Sequence, residues 1–218
     1  MHVVVANRVW YIVRGKTILW DISFRIESGT INVLVGPNGS GKTSLLKIVA
    51  GLTKPSKGTI TVLGAKPWSH SFPREKIGYV AQNPLHQLTE PTVREELMLQ
   101  AVSGEEAYYW AHEMGLSNYL DENPLNLSYG EQKRLLIAAA LARKPDILLV
   151  DELGVGQDYE GLDTIIRALH RYRSDGGTVI ASTHDPDVAY CLRPDYTLQL
   201  IKGRLVAVCQ GLCRDIFY

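Results

Sequence analysis

Apolar and polar positions along the first third of the chain change their spacing several times, and each change predicts an element. Residues 3–13 and 17–26 alternate or run apolar with many β-branched side chains, which predicts two strands. The apolar run 31–35 predicts a short buried strand. After a Gly-rich stretch, residues 43–50 place apolar side chains at helical spacing, so a helix should follow that strand directly.

The central part of the chain, from about 92 to 142, has a helical composition. Thr92-Val-Arg-Glu95 and Ser128-Tyr-Gly-Glu131 both have the spacing of a capping box, in which a hydroxyl and a carboxylate satisfy the first amides of a helix. A helix over 105–114 is predicted between them. The second box should open a long helix that ends at Ala142.

Further strands and helices are predicted on both sides of this helical block. They are strands at 58–64, 77–81, 147–150 and 178–182, a helix at 162–172, and a β-rich tail over 196–209. Apolar strands that alternate with helices indicate a mainly parallel sheet covered by helices on both faces. We therefore expect one α/β domain over 1–218, with a core of about 1–86 and 145–218 and a helical insertion at about 87–144.

Composition narrows the possible partners. The chain has 218 residues, and Lys+Arg and Asp+Glu both number 23, so its formal net charge is zero. Binding to nucleic acid through bulk charge needs a basic excess, so no nucleic-acid partner is expected. No apolar run approaches the ~20 residues that span a bilayer. If the protein works at a membrane, we expect a partner to hold it there.

The Gly-rich stretch between the strand at 31–35 and the helix at 43–50 carries the first chemical signal. It fits the pattern of a phosphate-binding loop and reads Gly36-Pro37-Asn38-Gly39-Ser40-Gly41-Lys42-Thr43. Glycines let successive backbone amides point inward at phosphate, and Lys42 then reaches the β- and γ-phosphates. The Thr43 hydroxyl is a ligand for Mg²⁺, and Ser44 completes the nucleotide-binding set. The pattern predicts a nucleotide site, which GTPases, kinases and ATPases share.

Two acids follow the apolar strand at 147–150. Alone they would be interpreted as ordinary residues at the end of a strand, but together with the phosphate loop they indicate a functional site. In an open α/β sheet, ligands bind at the carboxyl ends of the strands. Asp151 would then hold Mg²⁺, and Glu152 would take a proton from an attacking water.

The segment Leu127-Ser128-Tyr129-Gly130-Glu131-Gln132-Lys133-Arg134 resembles the signature sequence of ABC ATPases. The other landmarks of that family stand in order around it. Gln82 resembles the Q-loop glutamine, Asp158 the D-loop aspartate, His184 the switch histidine, and Tyr11 the aromatic residue that stacks on adenine. The resemblance covers essentially the whole chain.

This resemblance implies a phosphate-loop ATPase core with a mainly parallel sheet, an N-terminal antiparallel β subdomain and an inserted α-helical subdomain. It implies ATP and Mg²⁺ as cofactors and a second ABC ATPase subunit, arranged head to tail, as a partner. The implied catalytic residues are Glu152, His184, Gln82 and Lys42, and the implied metal ligands are Thr43, Gln82 and Asp151. The implied nucleotide ligands are residues 36–44 with Tyr11, Ser128, Gly130 and Asp158, of which Ser128 and Gly130 would serve the partner's γ-phosphate. The alternative interpretations are that Ser128 is only a helix cap and that Tyr11 is only a core aromatic.

The stretch from Gln82-Asn83-Pro84 to Glu95-Glu96-Leu97 resembles more narrowly the ATPases of energy-coupling-factor importers, which take up vitamins, cobalt or nickel. Tyr129, where most relatives have Gly, also occurs in that group. The resemblance implies integral membrane transporter subunits as partners, with coupling helices that dock near this stretch. It therefore places the chain on the cytoplasmic face of the membrane.

Two positions depart from the usual family pattern. Leu153-Gly154-Val155-Gly156-Gln157-Asp158 replaces the usual Pro-Thr-containing segment, and Glu131 replaces the usual Gln of the signature. The first change leaves open the alternative that this chain is the weakly hydrolysing member of an asymmetric pair of ATPases. A soluble ABC ATPase that is not coupled to transport is the other alternative.

Overall fold

Two β-sheets form the framework of the protein, whose computed structural model describes residues 1–212. The strands are β1 (His2–Val13), β2 (Lys16–Glu27), β3 (Ile31–Val35), β4 (Lys57–Val62), β5 (Ile77–Val80), β6 (Ile147–Val150), β7 (Thr178–Thr183), β8 (Tyr196–Ile201) and β9 (Arg204–Gln210). The α-helices are α1 (Lys42–Val49), α2 (Val93–Met98), α3 (Gly104–Glu113), α4 (Tyr129–Ala142), α5 (Tyr159–Ser174) and α6 (Pro186–Leu192).

The smaller sheet has the order β2-β1-β4 and is antiparallel throughout. Its middle strand pairs Val4 with Ile26 on one side and with Val62 on the other. Buried and exposed residues alternate along the second half of β2, as a sheet with one solvated face requires. The N-terminal antiparallel subdomain implied by the sequence is therefore present.

The larger sheet has the order β5-β6-β7-β3-β8-β9 and positions the functional residues. All neighbours from β5 to β8 are parallel, and β9 adds an antiparallel edge. Every residue of β3, β6 and β7 is buried, because helices such as α4 and α5 cover one face and α1 together with the smaller sheet covers the other. The mainly parallel sheet is confirmed. Since β6, β7 and β3 are adjacent and parallel, the residues that follow them meet at one edge.

Three features of the helices differ from the sequence prediction by more than a shift of one residue at a boundary. Helix α5 begins at Tyr159 instead of 162, because the carboxylate of Asp158 accepts a hydrogen bond from the Gly161 amide at 2.8 Å. Helix α6 was not predicted, although Asp185 caps it and Pro186 occupies its first position. The capping box at Thr92 is only half formed, because the Glu95 carboxylate accepts from the Thr92 hydroxyl, at 2.7 Å, and not from its amide.

No helix among residues 1–212 has the length and apolar character that a membrane span requires.

Candidate functional site

The phosphate loop connects β3 to α1 and lies tightly against neighbouring backbone. Gly36 has a φ of 150°, and a Cβ at this position would lie 2.0 Å from the carbonyl oxygen of Leu200. Gly41 caps α1 with a φ of 107°, and a Cβ there would lie 2.7 Å from a methyl group of Leu19. Only glycine fits at these two positions, so packing as well as phosphate chemistry fixes this part of the motif.

The side chain of Lys42 folds back over the loop. Its ammonium group donates hydrogen bonds to the carbonyl oxygens of Gly36, at 2.7 Å, and of Pro37, at 3.2 Å. It also forms an ion pair with Glu152, with 3.1 Å between Nζ and Oε1. The exposed fractions of the two side chains are only 4% and 6%, so the pair is almost completely desolvated. The residue expected to bind phosphate and the residue expected to activate water therefore contact each other.

The second carboxylate oxygen of Glu152 contacts His184. The distance from Oε2 to Nδ1 of His184 is 2.8 Å, and because a carboxylate only accepts, Nδ1 carries the hydrogen. The His184 side chain is 42% exposed, so the contact runs from the buried carboxylate to the rim of the site. Glu152 itself has a φ of 53°, a left-handed conformation that costs free energy in a residue other than glycine. Its amide is held there by Ser182 Oγ at 2.9 Å.

The side chain of Asp151 is buried and has one free oxygen. Its Oδ1 atom accepts a hydrogen bond from the Ser182 hydroxyl at 2.7 Å, whereas Oδ2 is buried without a partner. Asp151, Thr43 and Gln82 line the same cavity, which has a volume of about 620 Å³. A carboxylate, a hydroxyl and an amide oxygen are hard ligands of the kind that Mg²⁺ prefers. The residues present fit a magnesium ion.

Ser40, in the phosphate loop, also has a hydroxyl that is buried without a partner. A buried polar group without a partner is unfavourable, and a phosphate oxygen is the ligand that the surrounding loop is built to receive.

Lys133 is a functional candidate that the sequence analysis did not single out. Its side chain is fully buried, and its ammonium group donates to the carbonyl oxygens of Ala81, at 2.7 Å, and of Asp151, at 2.6 Å. Burial lowers the pKa of Lys133 to about 8, although the charges of Asp151 and Glu152 partly oppose this shift. One helix side chain thus ties the residue before Gln82 to the strand end that carries the acids. No signal in the sequence distinguishes Lys133 from Glu131, Gln132 and Arg134, its polar neighbours in α4.

Replacing Lys133 with Met is expected to lower the free energy of unfolding by about 1–3 kcal/mol, because two buried carbonyl groups lose their donor. Urea unfolding of the purified chain measures this change. Lys76→Met is the matched control, because it removes an exposed ion pair with Asp146 and should change stability much less. Equal stability of Lys133→Met and the wild type would contradict the assignment.

Ser128 and Gly130 lie at the start of α4. The Glu131 carboxylate accepts from the Ser128 amide at 2.8 Å and from its hydroxyl at 2.7 Å, and the Glu131 amide donates to that hydroxyl at 3.3 Å. The predicted capping box is therefore complete, and the hydrogen bond from Ser128 lowers the pKa of Glu131. The hydrogen bonds of Ser128 and Gly130 run to Glu131 and Gln157, not to the phosphate loop.

Tyr11 is partly buried against the core, and its hydroxyl lies 3.1 Å from that of Thr53, beyond the C-terminal end of α1. The phosphate loop precedes the opposite end of this helix. This contact is the packing role that was the alternative for Tyr11, and adenine stacking stays a prediction. Asp158 is the cap of α5 described above, and its role towards nucleotide also stays a prediction.

Comparison with known proteins gives a family assignment. The family model described as ABC transporter matches residues 19–153. A putative ABC transporter ATP-binding protein of Pyrococcus abyssi is 40% identical over 184 residues, which cover 80% of this chain and 70% of the relative. An energy-coupling factor transporter ATP-binding protein, EcfA, of Methanosphaera stadtmanae is 32% identical and covers 97% of this chain and 79% of the relative.

Solved structures give the same picture. The structure of cbiO1 from Clostridium perfringens, described as part of the ABC transporter complex cbiONQ, has a TM-score of 0.81 and 27% identity, and the match covers 96% of this chain and 88% of that one. A dimeric ATP-binding cassette in a post-hydrolysis state, bound to ADP and Pi, has a TM-score of 0.85 and 26% identity over 95% of this chain and 98% of that one.

Proposed function

Since this chain belongs to the ABC transporter family of ATP-binding proteins, we propose that it powers an importer of the energy-coupling-factor type. Its ATPase activity follows from the family, and the coupling of that activity to transport is the proposal. The buried contact of Glu152 with both Lys42 and His184 is the observation that carries the catalytic part, because it joins the three side chains that phosphoryl transfer needs.

Lys42 and Glu152 must separate when ATP binds. The Lys42 ammonium group then turns from the Glu152 carboxylate to the β- and γ-phosphates, and Glu152 becomes free to accept a proton from the attacking water. His184 keeps Glu152 oriented from the rim and steadies the γ-phosphate. The catalytic contribution of these residues is positioning and charge stabilisation in a desolvated site.

Asp151, Thr43 and Gln82 are the residues that would hold Mg²⁺, and Ser182 fixes the orientation of the Asp151 carboxylate. A bound magnesium ion supplies neutralisation of the charge that develops on the transferred phosphoryl group. Lys133 holds the backbone of Asp151 and of the residue before Gln82, so that both ligands keep a fixed separation.

The proposed working unit is a head-to-tail pair of ATPase subunits. The amino-terminal end of α4 is exposed at Ser128, and a helix start is a natural site for an anion. The γ-phosphate of the partner's ATP would take the Ser128 hydroxyl from Glu131. The helix start is thus capped while the dimer is open and filled by phosphate when it closes.

The apolar side of the cavity of about 620 Å³, whose polar side carries Asp151 and Thr43, is the proposed docking place for the membrane subunits. It lies between the core and α4, and its lining includes the apolar side chains of Leu52, Leu136 and Ala140. A helix that presents apolar residues fits such a groove. The helical part at about 87–144 would follow the docked helix, and the chain would act at the cytoplasmic face of the membrane. The names of the related EcfA proteins support the importer assignment.

The coupling is tested by the ATPase rate of the chain alone and after co-purification with the multi-span membrane subunits of an importer of the energy-coupling-factor type. We expect a stable complex and a changed rate. Hydrolysis that is equal with and without such subunits would favour a soluble ABC ATPase, and negligible hydrolysis in both would favour a weakly hydrolysing partner subunit.

Replacing Glu131 with Gln is expected to lower the KM for ATP by a factor of about two to five. The Gln side chain still accepts from the Ser128 amide, but it removes a negative charge beside the partner's phosphate, and like charges a few ångströms apart in water repel by about 1 kcal/mol. Steady-state hydrolysis measures the change. Glu95→Gln, at the equivalent position of α2, should leave KM unaltered, and an unchanged or raised KM for Glu131→Gln would contradict the approach of phosphate to this helix.

A further inference from the structure

The segment 153–158 is fastened to the first turns of α4 in the same chain by the side chain of Gln157. Its Nε2 atom donates a hydrogen bond to the carbonyl oxygen of Gly130 at 3.0 Å. Its Oε1 atom accepts from Nη1 of Arg134 at 3.4 Å. Gln157, which lies in a segment that departs from the family pattern, therefore contacts the signature sequence at the start of α4.

Tyr129 makes a second fastening on the same helix turn. Its ring lies directly on Gly156, where an added Cβ would come within 2.3 Å of the ring atom Cδ1. Gly156 also has a φ of 76°, so both the backbone conformation and the contact with the ring require glycine there. The Tyr129 hydroxyl donates to the carbonyl oxygen of Gln82 at 2.6 Å.

These contacts fix the backbone that is expected to meet the partner's phosphate. Tyr129 stands between Ser128 and Gly130, and its side chain is anchored at both the ring and the hydroxyl. Gln157 holds the next carbonyl group, that of Gly130. With the middle side chain and the following carbonyl both held within the chain, the turn has little freedom to rotate. Ser128 remains exposed, as a group that serves another subunit must be.

We propose that Tyr129 and Gln157 are positioning residues that form a latch, which covers the buried Gly130 and holds the exposed Ser128 ready for the phosphate of the partner subunit. The latch also joins this turn to the carbonyl group of Gln82. Gln82 would hold Mg²⁺ in the chain's own site, whereas the turn would serve the site of the partner subunit. A movement of one should therefore move the other. This inference rests on the proposed function, in which Ser128 and Gly130 act in trans. It gives the unusual segment 153–158 a role in forming the dimer.

A turn that is held in place before binding loses less conformational entropy when the dimer closes. Removing one neutral hydrogen bond of the latch should therefore raise the ATP concentration needed for closure by about two- to tenfold, the usual range for one such bond. The affinity of a single chain for ATP should change much less than this midpoint, because the latch does not contact the phosphate loop and reaches the chain's own site only through the backbone of Gln82. A general structural defect would alter both quantities.

The test uses the Glu152→Gln chain as the parent, because it should accumulate the ATP-bound dimer. Tyr129→Phe removes only the bond to Gln82, and Gln157→Met removes the bond to Gly130. Gln157→Glu keeps the contact with Arg134 but cannot donate to Gly130, and it replaces the Met variant if that variant does not fold. Tyr196→Phe is the matched control, because it loses a hydroxyl bond to Glu27 at the opposite end of the sheet.

Sedimentation against ATP concentration gives the midpoint of dimer formation, and a fluorescent ATP analogue gives the affinity of the dilute monomer. We expect the midpoint to rise two- to tenfold for Tyr129→Phe and for Gln157→Met, with a less than multiplicative rise in the double variant and no shift for Tyr196→Phe. Midpoints equal to that of the parent, or an equal loss of monomer affinity, would overturn the latch. Absence of any ATP-dependent dimer in the parent would instead overturn the proposed function.

Discussion

Glu152→Gln is expected to lose ATP turnover by a factor of about one hundred to ten thousand, the range attributed to a positioned general base. The amide has nearly the same shape as the carboxylate but does not accept a proton from water. It also removes the charge that pairs with Lys42, so Lys42 becomes free for phosphate and ATP binding should persist or tighten. Phosphate release at saturating MgATP and equilibrium binding of an ATP analogue measure the two effects.

The matched control for this variant is Glu160→Gln, which changes an exposed carboxylate in the first turn of α5. Its turnover should equal that of the wild type. Turnover by Glu152→Gln within a factor of two of the wild type would show that another group activates the water. It would also show that the contact of Glu152 with His184 does not orient the general base.

Lys42→Met is expected to abolish ATP binding and also to destabilise the protein without nucleotide. Removing one partner of a buried ion pair leaves an uncompensated charge, which typically lowers the free energy of unfolding by about 3–5 kcal/mol. Here the uncompensated charge is the Glu152 carboxylate, whose exposed fraction is 6%. Urea unfolding and ATP binding report the two losses separately.

The double variant Lys42→Met/Glu152→Gln distinguishes the loss of the pair from the loss of packing. It leaves no buried charge at this position, so most of the stability should return while ATP binding stays absent. Lys47→Met, on the exposed face of α1, is the control and should behave like the wild type. Equal stability of Lys42→Met and the double variant would show that the ion pair contributes nothing to the fold.

Motifs predicted which residues meet at one edge of the sheet, because parallel strands bring distant residues together in a fixed way. Gly36, Asp151 and His184 each follow a buried strand, and once β3, β6 and β7 are adjacent and parallel these positions must meet. The order of the strands was not predicted, because the spacing of residues along the chain does not record it. The inward pairing of Lys42 with Glu152 was not predicted either, because it depends on the rotamers of two side chains.

Other features depended on tertiary contacts that no local pattern records. The predicted box at Thr92 formed only in part because the Glu95 carboxylate turned to the threonine hydroxyl, a choice between two nearby donors. Lys133 stands in the signature sequence but is buried, and only its distance to the two carbonyl groups reveals its role. The contacts of Tyr129 and Gln157 join residues 23 positions apart or more and needed the packed structure.

The most direct test of the central claim is the multiple-turnover release of inorganic phosphate from MgATP by the purified wild-type chain. The release is measured with and without a chelator of Mg²⁺, and the Glu152→Gln chain is measured in parallel. The site described here predicts more than one phosphate per chain from the wild type, loss of this release when Mg²⁺ is removed, and almost none from Glu152→Gln. Phosphate release by the wild type that is no greater than that of Glu152→Gln, or that persists without Mg²⁺, would contradict it.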